Sequence, residues 1–133
     1  MNPYRPSQEA LITVPTLSPI PLYHETIITD VLSRHVVILD GRKFRKDSRE
    51  QVLMTEADKM AGGFVARIIP EWHEDFPEAA DQHTANLLRA DAWEAMKHWQ
   101  RYPFDPEAAS LASIHLTALG NFQRRRPTRP KET

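Results

Sequence analysis

The spacing of apolar positions changes along the chain, and each change marks a predicted element. Residues 10–14 (Ala-Leu-Ile-Thr-Val) form a short, partly β-branched apolar run that predicts one strand. Pro15, Pro19 and Pro21 follow and forbid a helix there, so residues 1–22 read as an extended, proline-rich arm. Over residues 24–34 the apolar positions Ile27, Ile28, Val31 and Leu32 repeat as i, i+1, i+4, i+5, which predicts a helix. Val36, Val37, Ile38 and Leu39 then run into Asp40-Gly41 and Arg42-Lys43-Phe44. Asp-Gly favours a two-residue turn, so a short β-hairpin is expected here.

Helical spacing dominates the rest. Ser48 and Gln51 fit a capping box ahead of a helix over 49–69, with Leu53, Ala57, Met60, Phe64 and Ile68 on one face. Gly62-Gly63 sits inside that stretch and costs roughly 1 kcal/mol per glycine relative to alanine. An acidic loop over 71–78 leads to a helix over 79–102, striped by Ala85, Leu88, Ala92, Ala95, Met96 and Trp99. Pro103 stops it. Asp105 then offers an N-cap with Pro106 at the first helical position, and a last helix burying Leu111, Ile114 or His115, Ala118 and Phe122 is expected to end near Leu119, where Gly120-Asn121 supplies a left-handed stop. A link this short predicts an antiparallel helical hairpin. Together these elements predict a helix-dominant α+β fold, with a short β-hairpin and about four helices.

Composition refines this picture at the ends. Of the 133 residues eleven are proline and only four glycine, and prolines cluster in the first 21 residues and again at Pro127 and Pro130. The expected division is therefore an arm over 1–22, one domain over 23–122, and a basic proline-containing tail over 123–133. Cysteine is absent, so disulfides, thiolate metal sites and cysteine nucleophiles are all ruled out. There is no basic-then-apolar leader and no apolar run of membrane-spanning length, and a cytoplasmic setting without membrane contact is expected.

The net charge of −1 conceals an uneven distribution. Arg42, Lys43, Arg45, Lys46 and Arg49 stand against Asp47 alone, and Arg124, Arg125, Arg126, Arg129 and Lys131 against Glu132 alone. Between them, residues 71–107 hold Glu71, Glu74, Asp75, Glu78, Asp81, Asp91, Glu94, Asp105 and Glu107 against Arg89, Lys97 and Arg101. The basic segments 42–49 and 124–131 could contact phosphates by counterion release, with Phe44 as a base-stacking candidate. Edge-strand protection is the simpler account of the first segment and a solvated end that of the second. The tail spacing Arg124-x-x-Pro127-x-x-Pro130 also matches a polyproline II ligand, a form that arginine- and proline-rich composition produces unaided.

Catalytic patterns are missing. Asp91, Glu94 and His98 share one helical face, but no His-Glu-x-x-His or comparable ligand spacing occurs, and no metal or other cofactor is expected. Ser110, Ser113 and His115 are neighbours on one helix without a nucleophile elbow, and four glycines cannot build a phosphate loop. The residues thus point to a non-enzymatic binding, regulatory or assembly accessory protein that works through protein–protein contacts, such as phages and mobile elements use. A protein partner or a second copy would meet Leu11, Ile12, Val14, Leu17 and Ile20 of the arm, and the aromatic residues Trp72, Phe76 and Trp93. The alternative is a nucleic-acid-binding regulator acting through the basic segments.

Overall fold

The computed structural model describes residues 3–16, 19–52 and 65–125. By its internal contacts the chain divides into two compact units, Met1–His83 and Thr84–Thr133. Among the described residues no helix is long and apolar enough to cross a membrane.

The first unit is built on a curled, five-stranded antiparallel half-barrel. Its strands are β1 (Glu9–Thr13), β2 (Tyr23–Val31), β3 (His35–Ile38), β4 (Lys43–Arg45) and β5 (Ile68–Pro70). They lie in the order β4-β3-β2-β1-β5, so β1 is an interior strand that pairs β2 on one side and β5 on the other. The segment after β4 reaches both sheet edges. Arg45 N donates to the Glu50 carbonyl and Val52 N to that of Lys43, while Gln51 N donates to Ala66 and Ile68 N to Arg49, each at 2.9 Å. Bridges Phe44↔Gln51 and Glu50↔Arg67 complete the link, so backbone groups that an open edge would expose are used within the unit.

Period-2 alternation explains the core. Ala10, Ile12, Ile28, Val36, Ile38, Phe44 and Ile68 point to the concave side and pack with Tyr4 and Ala66. Burying each of the large side chains contributes roughly 1.5–3 kcal/mol. On the opposite side of the sheet Leu11 and Ile69 are covered by Ala79, with Tyr23, Phe76 and Ala80 packed against them. β1 is thus covered on both faces, as its unbroken Ala-Leu-Ile run requires.

The helix-dominant fold with about four helices is overturned: the chain forms the five-stranded sheet and two helices, α1 (Phe76–Arg101) and α2 (Pro106–Arg125). Residues 24–34 form most of β2 rather than a helix. The stripe of Ile27, Ile28, Val31 and Leu32 fits either period, and Thr26, Ile27, Ile28, Thr29 and Val31 are β-branched, which favours the pleated backbone. A register shift between Ile28 and Asp30 disturbs the simple alternation that would have declared the strand. The helix expected over 49–69 is also absent at both ends, where residues 50–52 and 67–70 are extended; positions 53–64 lie outside the described residues. Ser48 Oγ accepts from Glu50 N at 3.3 Å, a local turn in place of a capping box.

Several expectations hold. Residues 10–13 lie in a strand, and the hairpin forms around Asp40-Gly41, but its loop is longer than the two-residue turn expected. Ile38 N donates to the Arg42 carbonyl and Gly41 N to that of Ile38, and within the loop Gly41 alone takes a left-handed φ of 91°. In the second unit, Asp105 caps α2 through Oδ1, which accepts from Glu107 N at 3.0 Å. The C-terminal helices form the expected hairpin. α2 nevertheless runs past Gly120-Asn121 to Arg125. There Asn121 Oδ1 accepts from Arg124 at 2.8 Å, and the two arginines of the last turn complement the helix dipole.

Candidate functional surfaces

The first unit carries a shallow groove of about 820 Å³ between its N-terminal segment and the β2–β3 turn. Tyr4 and Trp72 form its aromatic wall, their rings edge to face at 5.1 Å and 85°. The Tyr4 hydroxyl donates to the Lys46 carbonyl at 3.1 Å, which pins this wall to the chain following β4. Burial pushes the Tyr4 phenol above its ordinary pKa; the nearby Arg49 guanidinium opposes that rise and the Asp47 carboxylate adds to it. Tyr23 is pushed in the same direction, first by burial and then by the Glu78 and Asp75 carboxylates.

The basic segment of the first unit sorts by strand alternation. Lys43 and Arg45 point outward from β4, opposite Val37 and His35 of β3, and neither has an ion-pair partner among the described residues. Phe44, between them, points inward and is fully buried. It cannot stack on a base in this fold. Arg42 pairs with Asp40 at 2.9 Å and lies 5.8 Å from the Phe44 ring centre, while Arg49 donates to the Ile68 carbonyl at 3.3 Å. Arg49 takes a left-handed φ of 63°, which turns the chain from β4 into the bridging segment. Lys46 is half-buried beside the groove. Arg124 and Arg125 belong to the other unit and bond Asn121; Arg126 and Arg129 lie outside the described residues.

Placement of the expected protein-contacting residues is equally uneven. Leu11 and Ile12 are core residues of β1, and Phe76 packs on the Leu11–Ile69 cluster. Val14 and Ile20 are half-buried, and Leu17 lies outside the described residues. Trp72 is partly exposed, with one ring face engaged by Tyr4. Trp93, in the helical hairpin, is 59% exposed.

The hairpin also exposes Leu111 and Ile114, which helical spacing places on the buried face of the last helix. Within the second unit the only buried residues among those described are Ala92, Ala108 and Ala112, while Leu111 is 47% and Ile114 60% exposed. A concavity of about 380 Å³ lies against them, lined by Pro106, Glu107, Ser110, Leu111 and Ile114. The signal was present in the sequence: between Glu107 and Arg124 no residue is formally charged. A helix with solvent along one side ordinarily carries charge there.

Among the described residues no group of three His, Asp or Glu is placed to hold a metal ion. Glu94 pairs with Lys97 at 2.7 Å, and the His98 ring packs on Tyr102 at 5.0 Å. Compared with known protein families, characterised proteins and solved structures, the chain shows no significant match.

Proposed function

We propose that the chain is a non-enzymatic binding or regulatory protein, an accessory to a larger assembly, and that its helical hairpin is the element that meets a protein partner. One observation carries the reading: among the described residues of the second unit the buried set is three alanines, while Trp93, Leu111 and Ile114 are exposed. Alanine burial contributes little, and large apolar side chains left exposed, as Leu111 and Ile114 are beside one concavity, mark interaction sites. An assembly of the phage or mobile-element kind suits a small chain of this design, and the lack of cysteine fits a reducing cytoplasmic setting.

The test is the response of the dilute chain to polar substitution. Trp93→Ser and Ile114→Ser should leave the melting temperature within a few degrees, as expected for surface positions with effects of about 0.5 kcal/mol or less. They should also reduce binding of a fluorescent hydrophobic dye. A fall of ten degrees or more would place these side chains in the chain's own core and refute the reading.

A second reading is favoured by Lys43 and Arg45, which point outward and have no ion-pair partner among the described residues. In it the outer face of β3 and β4 grips the phosphates of a nucleic acid. Affinity for short duplex or single-stranded probes should then fall linearly with log salt, and Lys43→Glu with Arg45→Glu should flatten the slope by about 2. No binding at low salt removes this reading.

A further inference from the structure

We infer that what covers the outer stripe of α2 is a second copy of this chain, with the two α2 helices antiparallel about a two-fold axis. This rests on the hairpin being an interaction surface, and it names the partner.

At 100° per residue, Glu107, Leu111, Ile114, Ala118 and Arg125 fall within about 60° of one another on the α2 wheel. Ala108 and Ala112, the buried positions, lie on a neighbouring arc. The outer stripe begins with a carboxylate, ends with a guanidinium, and is apolar between them. Across the roughly 27 Å from residue 107 to residue 125, that pattern is complementary to its own reverse. A two-fold axis near residue 116 sets Glu107 of each copy against Arg125 of the other and brings Ile114 beside the other's Ala118. Isologous pairing makes both charge contacts at once.

The charges are available. Among the described residues Glu107 has no cationic partner, and Arg125 makes only a long bond of 3.4 Å from Nε to the Asn121 carbonyl. The concavity beside Leu111 and Ile114 receives the C-terminal half of the other helix, and antiparallel helix dipoles favour the same arrangement. A parallel pair would set Glu107 against Glu107 and Arg125 against Arg125. One 30 Å helix stripe about 10 Å wide covers on the order of 300 Å² per copy, against about 800 Å² in a standard interface. An interface this small makes a weak dimer that dissociates on dilution.

Sedimentation equilibrium of the full chain over a concentration series reads this directly. The expected result is a monomer–dimer equilibrium at low salt. Ile114→Glu enters the interface twice and should raise the dimer Kd by about 100-fold. Glu107→Arg alone, or Arg125→Glu alone, should raise it about 10-fold through like charges at both ends. The double variant Glu107→Arg/Arg125→Glu should return it to within about 3-fold of the original, a rescue that a loss of fold cannot produce. Single exchanges that change nothing, or a double variant no better than either single one, would overturn the antiparallel pairing. A chain that stays monomeric at every concentration overturns the second copy altogether. The hairpin reading is then judged separately on the melting of dilute Ile114→Glu: unchanged melting leaves a surface for a different protein, and a large fall sinks both.

Discussion

Phe44 provides the sharpest test of how the basic strand is built. It sits between Lys43 and Arg45, in a position where sequence alone allows either a base-stacking ring or a core ring, and the structure buries it fully among Ile12, Ile28, Ile38 and Ile68. Removing a buried aromatic ring costs the lost transfer energy plus that of the cavity left behind, about 3–5 kcal/mol for Phe→Ala. A unit of this size has a total stability of only about 5–10 kcal/mol, so Phe44→Ala should take away a large share of it. Phe44→Leu keeps most of the volume and should cost less than about 1.5 kcal/mol. With a slope of about 4–8 °C per kcal/mol, the leucine variant melts up to roughly 10 °C lower and the alanine variant well over 10 °C lower. Urea unfolding followed by far-UV circular dichroism and by tryptophan emission measures both, with Trp93→Phe and Trp99→Phe in the background so that Trp72 alone reports on the first unit. If Phe44 were instead a stacking platform, alanine would leave the urea midpoint nearly unchanged and weaken single-strand binding by about 1–3 kcal/mol. That result would refute the inward assignment of β4 and, with it, the outward assignment of Lys43 and Arg45.

The β3–β4 turn and the aromatic wall offer two further tests. Gly41→Ala meets no atom within 4 Å of the added carbon, so its cost is backbone strain at φ 91° alone, about 1–2 kcal/mol, read as a lower melting temperature; an unchanged melt would refute the turn geometry. Tyr4 has a raised pKa in the folded chain, so its contribution is fully present below the unfolded value of about 10 and is lost as pH rises through the folded value. Tyr4→Phe should lower stability at neutral pH by about 0.5–1.5 kcal/mol through the lost bond to Lys46 and flatten the decline above pH 10; an identical alkaline decline in the variant would show that Tyr4 does not drive it.

Legibility in the sequence followed how local the determining contacts were. The Asp40-Gly41 hairpin, the Asp105 cap and the helical hairpin each depend on residues close in the chain, and each could be read. The half-barrel depends on distant pairing. Leu11 faces Glu25 across one ladder and Ile69 across the other, and nothing near Leu11 announces either neighbour. This is why residues 1–22 looked like an arm: proline density marked where helices cannot form, but an interior strand needs only its five residues to be free of proline. The same blindness affected residues 24–34, where two periods fitted one set of apolar positions and only the ladder to β1 and β3 decided between them.

The candidate surfaces follow the same division, and α2 shows where the limit lies. Its uncharged run from 108 to 123 was visible, and one inward stripe against α1 is the ordinary expectation for a hairpin. Ala108 and Ala112 are buried, as such a stripe would be. Leu111 and Ile114 are not, because they lie a further step around the helix and are left in water. A helix with two adjacent apolar stripes requires two neighbours, and the hairpin supplies one. Sequence can count the stripes; only the structure shows which of them is still without a partner.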